Sequence, residues 1–255
     1  MLKILICILA GLGAGLGTGF AGMSAAAVIS PMLIAFLDMD PYMAVGIALA
    51  SDVLASAVSA VTYGRNKNLD VRNGLVMMAA VLCFTAAGSF VASIVPKTTM
   101  GNFSVIMTLL LGIKFIVKPV VAPKPCLTDA TTAQKIIRSL LGGALVGFIC
   151  GFVGAGGGMM MLLVLTSLLG YELKTAVGTS VFIMSVTALT GAVSHFAIGG
   201  LPDITALIVC VVSTLVFAQV AALFATRAQP KTLNRVTGAV LVVLGTAILI
   251  VNFCK

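Results

Sequence analysis

Taken by its hydrophobic and polar positions, the chain divides into eight apolar segments, at about 2–37, 41–62, 73–94, 100–121, 135–169, 174–198, 203–227 and 234–254. Six have the length of one helical crossing, since about 20 residues rising about 1.5 Å each cover the hydrocarbon core of a bilayer. The first and fifth run to about 35 residues, and each holds a glycine cluster followed by more apolar sequence. The pattern predicts an all-α integral membrane protein. The first segment, after Lys3, also has the outline of a signal peptide. That reading is set aside because the same pattern recurs in mid-chain, where no signal peptide can stand. Each long segment is either a re-entrant hairpin or a pair of full crossings, and the pattern does not separate the two.

A shift of 132 residues lays GFAG at Gly19–Gly22 on GFVG at Gly151–Gly154, and AVG at Ala44–Gly46 on AVG at Ala176–Gly178. The same shift matches Gly11 and Gly15 with Gly143 and Gly147, Leu33 with Leu165, and Leu69 with Leu201. Two motifs about 25 residues apart that keep one offset mark an internal repeat. The expected organisation is a transmembrane repeat at 1–121, a polar cytoplasmic linker at 122–131 and a second transmembrane repeat at 132–255, each with four apolar segments.

Charge sets the orientation of the halves. With long segments that enter and return, twelve of the fifteen Lys and Arg residues fall on one side of the membrane, and only Lys3, Lys97 and Lys255 on the other. Single crossings of the long segments would give ten against five. Basic loops face the cytoplasm, so the twelve-to-three division favours two inverted repeats with both termini outside. The loop YGRNKNLDVR is basic, whereas its counterpart HFAIGGLPDI has no Lys or Arg, as inversion requires. Composition agrees: 60% of residues are hydrophobic and 9% charged, against about 25% charged in a soluble domain. The net charge of +8 has no aromatic interleaving and the chain has no Trp, so nucleic acid is not an expected partner. The six cysteines form no CxxC pair and read as small packing residues.

Two sets of residues could carry chemistry. Glycines spaced by four, four and three lie on one helix face and let helices approach closely. That does not explain Ala155-Gly156-Gly157-Gly158, because consecutive glycines each weaken a helix by about 1 kcal/mol relative to Ala. Broken backbone at membrane depth is tolerated where it is buried in protein or lines a cavity. The half-helix beyond a break presents free N–H groups and partial positive charge, which can hold an oxyanion without Lys or Arg. Gly19, Phe20, Gly22 and Ser24 form this candidate site in the first half, with Gly151, Phe152, Gly154, Gly156 and Gly157 in the second. Ser51, Thr179 and Ser180 add hydroxyls from the AVG segments. Asp52, Ser56, Ser59 and Tyr63 share one helix face, which must meet protein or water. Asp52 is assigned a gating or proton-linked role, as are Tyr63 and its repeat partner His195, expected near the two exits.

Other chemistries find little support. The single His lacks a second metal ligand at suitable spacing, and no GxxxxGK[ST] loop is present, so no metal, cofactor or built-in ATP drive is expected. Met159–Met161 read as lipid-facing filler, Lys114 and Lys118 as snorkelling residues, and Gln219 and Asn252 as polar residues without an evident partner. A small anion and the bilayer are the expected partners, with a homodimer left open.

GFVGAGGGMMMLLVL, AVGTSVF and SHFAIGGLPD, set in two glycine-broken halves, resemble the TauE/SafE sulfite-exporter family over essentially the whole chain. The first half departs from that pattern, with GMSAA where a glycine triplet is usual and GIALASD where GTS is usual. The resemblance implies a multi-pass plasma-membrane protein, in bacteria of the inner membrane, that exports sulfite or a small organosulfur anion through a site between the halves. A transporter of a non-sulfur organic anion is the alternative, and an integral membrane enzyme the more distant one. The topology is testable by sided labelling: cysteines at Lys67 and Lys255 should react from opposite faces of the membrane, and reaction from the same face would contradict the inverted arrangement.

Overall fold

The computed structural model describes residues 1–92, 109–110, 113, 116–117, 131–153, 157–199 and 202–253. Among these the chain is helical, with no strand. The fourth apolar segment and the linker at 122–131 lie almost wholly outside the described residues. Nine α-helices are used below: α1 Leu2–Ala21, α2 Ala26–Leu37, α3 Pro41–Arg65, α4 Val71–Ala92, α5 Thr132–Val153, α6 Gly157–Leu163, α7 Leu173–Gly199, α8 Ile204–Arg227 and α9 Pro230–Phe253. A π-helical turn, Val164–Leu168, extends α6. Stretches within α1, α3, α7 and α8 are each long and apolar enough to cross a bilayer. The protein is an integral membrane protein.

The first long segment is a helical hairpin. Helix α1 ends at Gly22, whose φ of 59° is left-handed, and the Gly22 and Met23 N–H groups return to Thr18 O and Gly17 O at 2.9 and 3.2 Å. A left-handed residue at this position favours glycine, which has no Cβ to clash. Helix α2 restarts with the Ser24 oxygen accepting from the Ala26 N–H at 3.3 Å. Its 12 residues rise about 18 Å, too little to cross about 30 Å of hydrocarbon. Lys3 near the start of α1, Leu37 at the end of α2, and Met39, Asp40 and Met43 after it line one cavity of 370 Å³ together with Asp203. The segment therefore returns to the end from which it entered. In the second long segment, Gly154, Ala155 and Gly156 lie outside the described residues.

The glycine stripes do what their spacing predicts, and their partners lie in the opposite half. Gly15 and Gly19 of α1 abut α8 so closely that an added Cβ would meet Thr214 O at 2.7 Å and Ala218 O at 2.6 Å. Gly143 and Gly147 of α5 abut α4, where a Cβ would meet Met77 O and Val81 O, both at 2.5 Å. In each pair the contact advances along both helices together, so each runs parallel to its partner. Helix α3 packs on α7, with Gly178 against Tyr63. The expectation for the methionine run is corrected at Met160 and Met161: both are buried, because α6 packs against α5 and α7.

The far end of the bundle is also tied. Tyr171 Oη donates to Asp70 Oδ2 at 2.8 Å, and Lys174 Nζ to Thr226 O at 2.9 Å. At the Lys3 end, Lys3 pairs with Asp203.

The close contacts make an opposed pair of expectations. Gly147→Ala should lower stability by about 1–3 kcal/mol through overpacking. Gly64, whose Cβ would meet only Leu69 Cδ2 at 3.7 Å, should gain up to about 1 kcal/mol as Ala. Thermal unfolding in one detergent compares them, and equal behaviour would contradict the packing argument.

Candidate functional site

The interruption after α1 exposes carbonyls that no helical N–H can reach, and each unmatched one is costly away from water. Side chains supply the donors. Tyr63 Oη reaches Gly19 O at 2.8 Å, Thr237 Oγ1 reaches Phe20 O at 3.1 Å, Ser180 Oγ reaches Gly22 O at 3.0 Å, and Thr18 Oγ1 reaches Met23 O at 2.9 Å. All four donors are buried. They come from α3, α9, α7 and α1, so the break is clamped from both halves of the chain.

The start of α6 touches this break. A Cβ on Gly158 would meet Ser24 N at 2.6 Å, Gly22 O at 2.8 Å and Met184 Sδ at 2.8 Å. Only a glycine permits so close an approach between the two interrupted segments. From the other side comes Asp52, near the midpoint of α3 and fully buried. Its Oδ1 accepts from Ser56 Oγ at 2.8 Å. The Ser24 hydroxyl and the Ala25 N–H face the carboxyl from the start of α2, while Oδ2 accepts no hydrogen bond.

The structure thus brings Gly19, Phe20, Gly22, Ser24, Asp52, Tyr63 and Ser180 together. Gly157 opens α6 beside Gly158. Gly151 and Phe152 fall in the last turn of α5, with the Phe152 side chain outside the described residues, as are Gly154 and Gly156. Ser51, the residue before Asp52, donates instead to Ile47 O at 2.8 Å. Thr179 belongs elsewhere: its Oγ1 accepts from the Asp70 N–H at 3.2 Å, at the tied end of the bundle. Tyr63 stands in the last turn of α3. Its ring is buried and its hydroxyl clamps the α1 break, a demand that alignment with His195 could not reveal. His195 lies in α7, and its side chain is outside the described residues.

Several contributors escaped the sequence reading. Thr237 and Thr18 are isolated hydroxyls in apolar helices, and nothing local names their targets. Gln219 has a partner after all, Thr62 Oγ1 at 3.0 Å. Asp70 caps the start of α4, with Oδ1 accepting the Asn73 N–H at 3.1 Å, a common role for Asp; no local pattern marks its link to Tyr171. Outside the spans, burial and the neighbouring Asp70 charge raise the Tyr171 hydroxyl above the ordinary tyrosine range. Hydrogen bonds from Lys3 and the Ala206 N–H hold Asp203 below the ordinary carboxylate range.

The family described as "Sulfite exporter TauE/SafE" matches residues 7–248. The chain belongs to this family. It is similar to the Bacillus subtilis (strain 168) protein named "Probable membrane transporter protein YunE", 27% identical over 218 residues, covering 78% of this chain and 80% of that one. The "Probable membrane transporter protein YdhB" of the same organism is 24% identical over 235 residues, covering 91% and 92%. A Methanocaldococcus jannaschii relative, "Probable membrane transporter protein MJ0441", is 24% identical over 204 residues, covering 76% and 73%. Family and relatives are named as transporters and not as enzymes, so membrane transport frames the chemistry of this TauE/SafE member.

Two tyrosines should respond differently to loss of a hydroxyl. Tyr63→Phe leaves a buried carbonyl unmatched and should cost about 1–3 kcal/mol, whereas Tyr171→Phe leaves Asp70 its Asn73 donors and should cost about 1 kcal/mol. A raised folded-state pKa means that the Tyr171 contribution is complete below the ordinary tyrosine range, near about pH 10. It is lost as pH rises toward the raised value. Unfolding of the wild type and Tyr171→Phe across pH should therefore converge only at alkaline pH; a constant gap would contradict this role.

Proposed function

We propose that the protein is a secondary transporter that exports sulfite or a related small organosulfur anion from the cytoplasm, by alternating access to a site between two inverted halves. The contact of Gly158 with the Gly22–Ser24 turn carries this reading. It joins interrupted segments from both halves at the level of Asp52, deep in the membrane-spanning bundle. Half-helix starts supply N–H donors and partial positive charge. A site of neutral donors suits transport, because fully charged partners would hold a divalent anion too tightly to release it.

Helix directions support the inversion. Helix α1 starts at the Lys3–Asp203 end. Helix α5 runs parallel to α4, which starts beside Asp70 at the Asp70–Tyr171 end, so the first helices of the two halves run oppositely. The reciprocal packing of α1 on α8 and α5 on α4 fits a two-fold relation in the membrane plane. With the positive-inside division, the Asp70–Tyr171 end faces the cytoplasm and both termini face out, in a plasma membrane. The family supports sulfur in the substrate.

Flux into proteoliposomes provides the test, with sulfite, sulfoacetate, thiosulfate and sulfate, and a simple carboxylate for comparison. Movement of sulfite or a sulfonate without ATP is expected. Movement of the carboxylate alone would overturn the sulfur assignment, and movement of none would overturn the transport of small anions.

A further inference from the structure

Among the described residues, Asp52 is the only Asp, Glu, Lys or Arg that is buried. It sits at the start of α2, where the helix offers its positive end. The groups acting on its carboxyl are Ser56 from its own helix, and the Ser24 hydroxyl and Ala25 N–H from α2; no titratable or charged group from α1, α7 or α8 is among them. The unpartnered Oδ2 and Ser24 are enclosed together, with Gly158 closing the other side of Ser24. An ionised carboxylate held here has no cation to offset it, and its one favourable partner besides hydroxyls is the half-helix itself. The repeat offset places Met184 opposite Asp52. Met184 packs on Gly158 and receives the Ser180 hydroxyl at 3.9 Å. The second half therefore has no equivalent carboxylate.

We propose that Asp52 is a tethered competitor of the transported anion, holding the positive end of α2 as a carboxylate and yielding it when it takes up a proton. This rests on the anion-transport reading above. Two anions at one helix start repel across a medium of low dielectric, so the carboxylate and the substrate exclude each other. Protonation converts the carboxylate to a neutral acid, with no other bond made or broken, and removes both the competitor and the repulsion. The proton then accompanies the anion, giving coupled movement of one proton with each anion. Departure from the family's GTS pattern at GIALASD thereby acquires a physical consequence: this member takes its pH dependence from the first half alone.

Binding of sulfite, thiosulfate and methanesulfonate to purified protein in nanodiscs tests the proposal, from mildly acidic to mildly alkaline pH. Thiosulfate and methanesulfonate keep their charge over that range, so any pH dependence belongs to the protein. Wild-type Kd for a bound probe should rise toward tenfold per pH unit at the alkaline end, the limit for one linked proton. Asp52→Asn should bind thiosulfate and methanesulfonate with the acidic wild-type affinity at every pH. In weakly buffered solution, wild-type protein at alkaline pH should also take up about one proton per probe bound, a measurement that needs no variant. Binding without pH dependence and without proton uptake would overturn the competition while leaving anion transport intact. Binding of none of the three probes, in wild type or variant, would overturn the anion site itself.

Discussion

A helix that stops inside a bilayer leaves carbonyls facing a medium that cannot hydrate them, and the arrangement around Gly22 follows from that constraint. The donors that meet the carbonyls of Gly19, Phe20 and Gly22 stand on α3, α9 and α7. Two of those helices belong to the second half of the chain. The break in α1 thus fixes where three other helices must run. Losing one donor leaves its carbonyl buried, while restoring water would require opening the core. A rigid bundle can keep such a break only if the surrounding helices approach closely, which is the work of the glycine stripes on α1 and α5.

The same constraint has an electrostatic counterpart on the other side of the turn. Carbonyls at the end of α1 are matched by hydroxyls, but the start of α2 meets a carboxyl with one oxygen left without a donor. Neutral partners close the first set in a fixed form. The competition proposed for Asp52 would make the second set dependent on proton occupancy. The site thus sets a scaffold of hydroxyl donors beside the one buried carboxyl among the described residues.

How much of this was legible depended on distance along the chain. The offset of 132 residues pointed to a repeat, and the glycine spacing exposed a packing face, because both are local or periodic signals. The Asp52–Ser56–Ser59–Tyr63 face was equally plain from helical periodicity, and all four side chains are buried. Periodicity could not say what that face meets. Tyr63 clamps a carbonyl 44 residues away and Thr237 one 217 residues away, and no sequence pattern links such positions. Thr179 parts from Ser180 for a related reason: adjacent in sequence, it points about 100° around the helix, and its hydroxyl oxygen accepts from the Asp70 N–H. Length alone could not distinguish a hairpin from two crossings, since the division within 2–37 depends on the left-handed turn at Gly22.

The central claim is that a small anion binds where the interrupted segments of the two halves meet. Its most direct test is anomalous diffraction from crystals grown with bromomethanesulfonate, whose bromine marks the ligand. The account predicts a bromine peak within a few ångströms of Ser24 and Gly158, enclosed by α2, α3 and α7. A peak confined to the cavity lined by Lys3, Asp40 and Asp203, with none at the break, would contradict it.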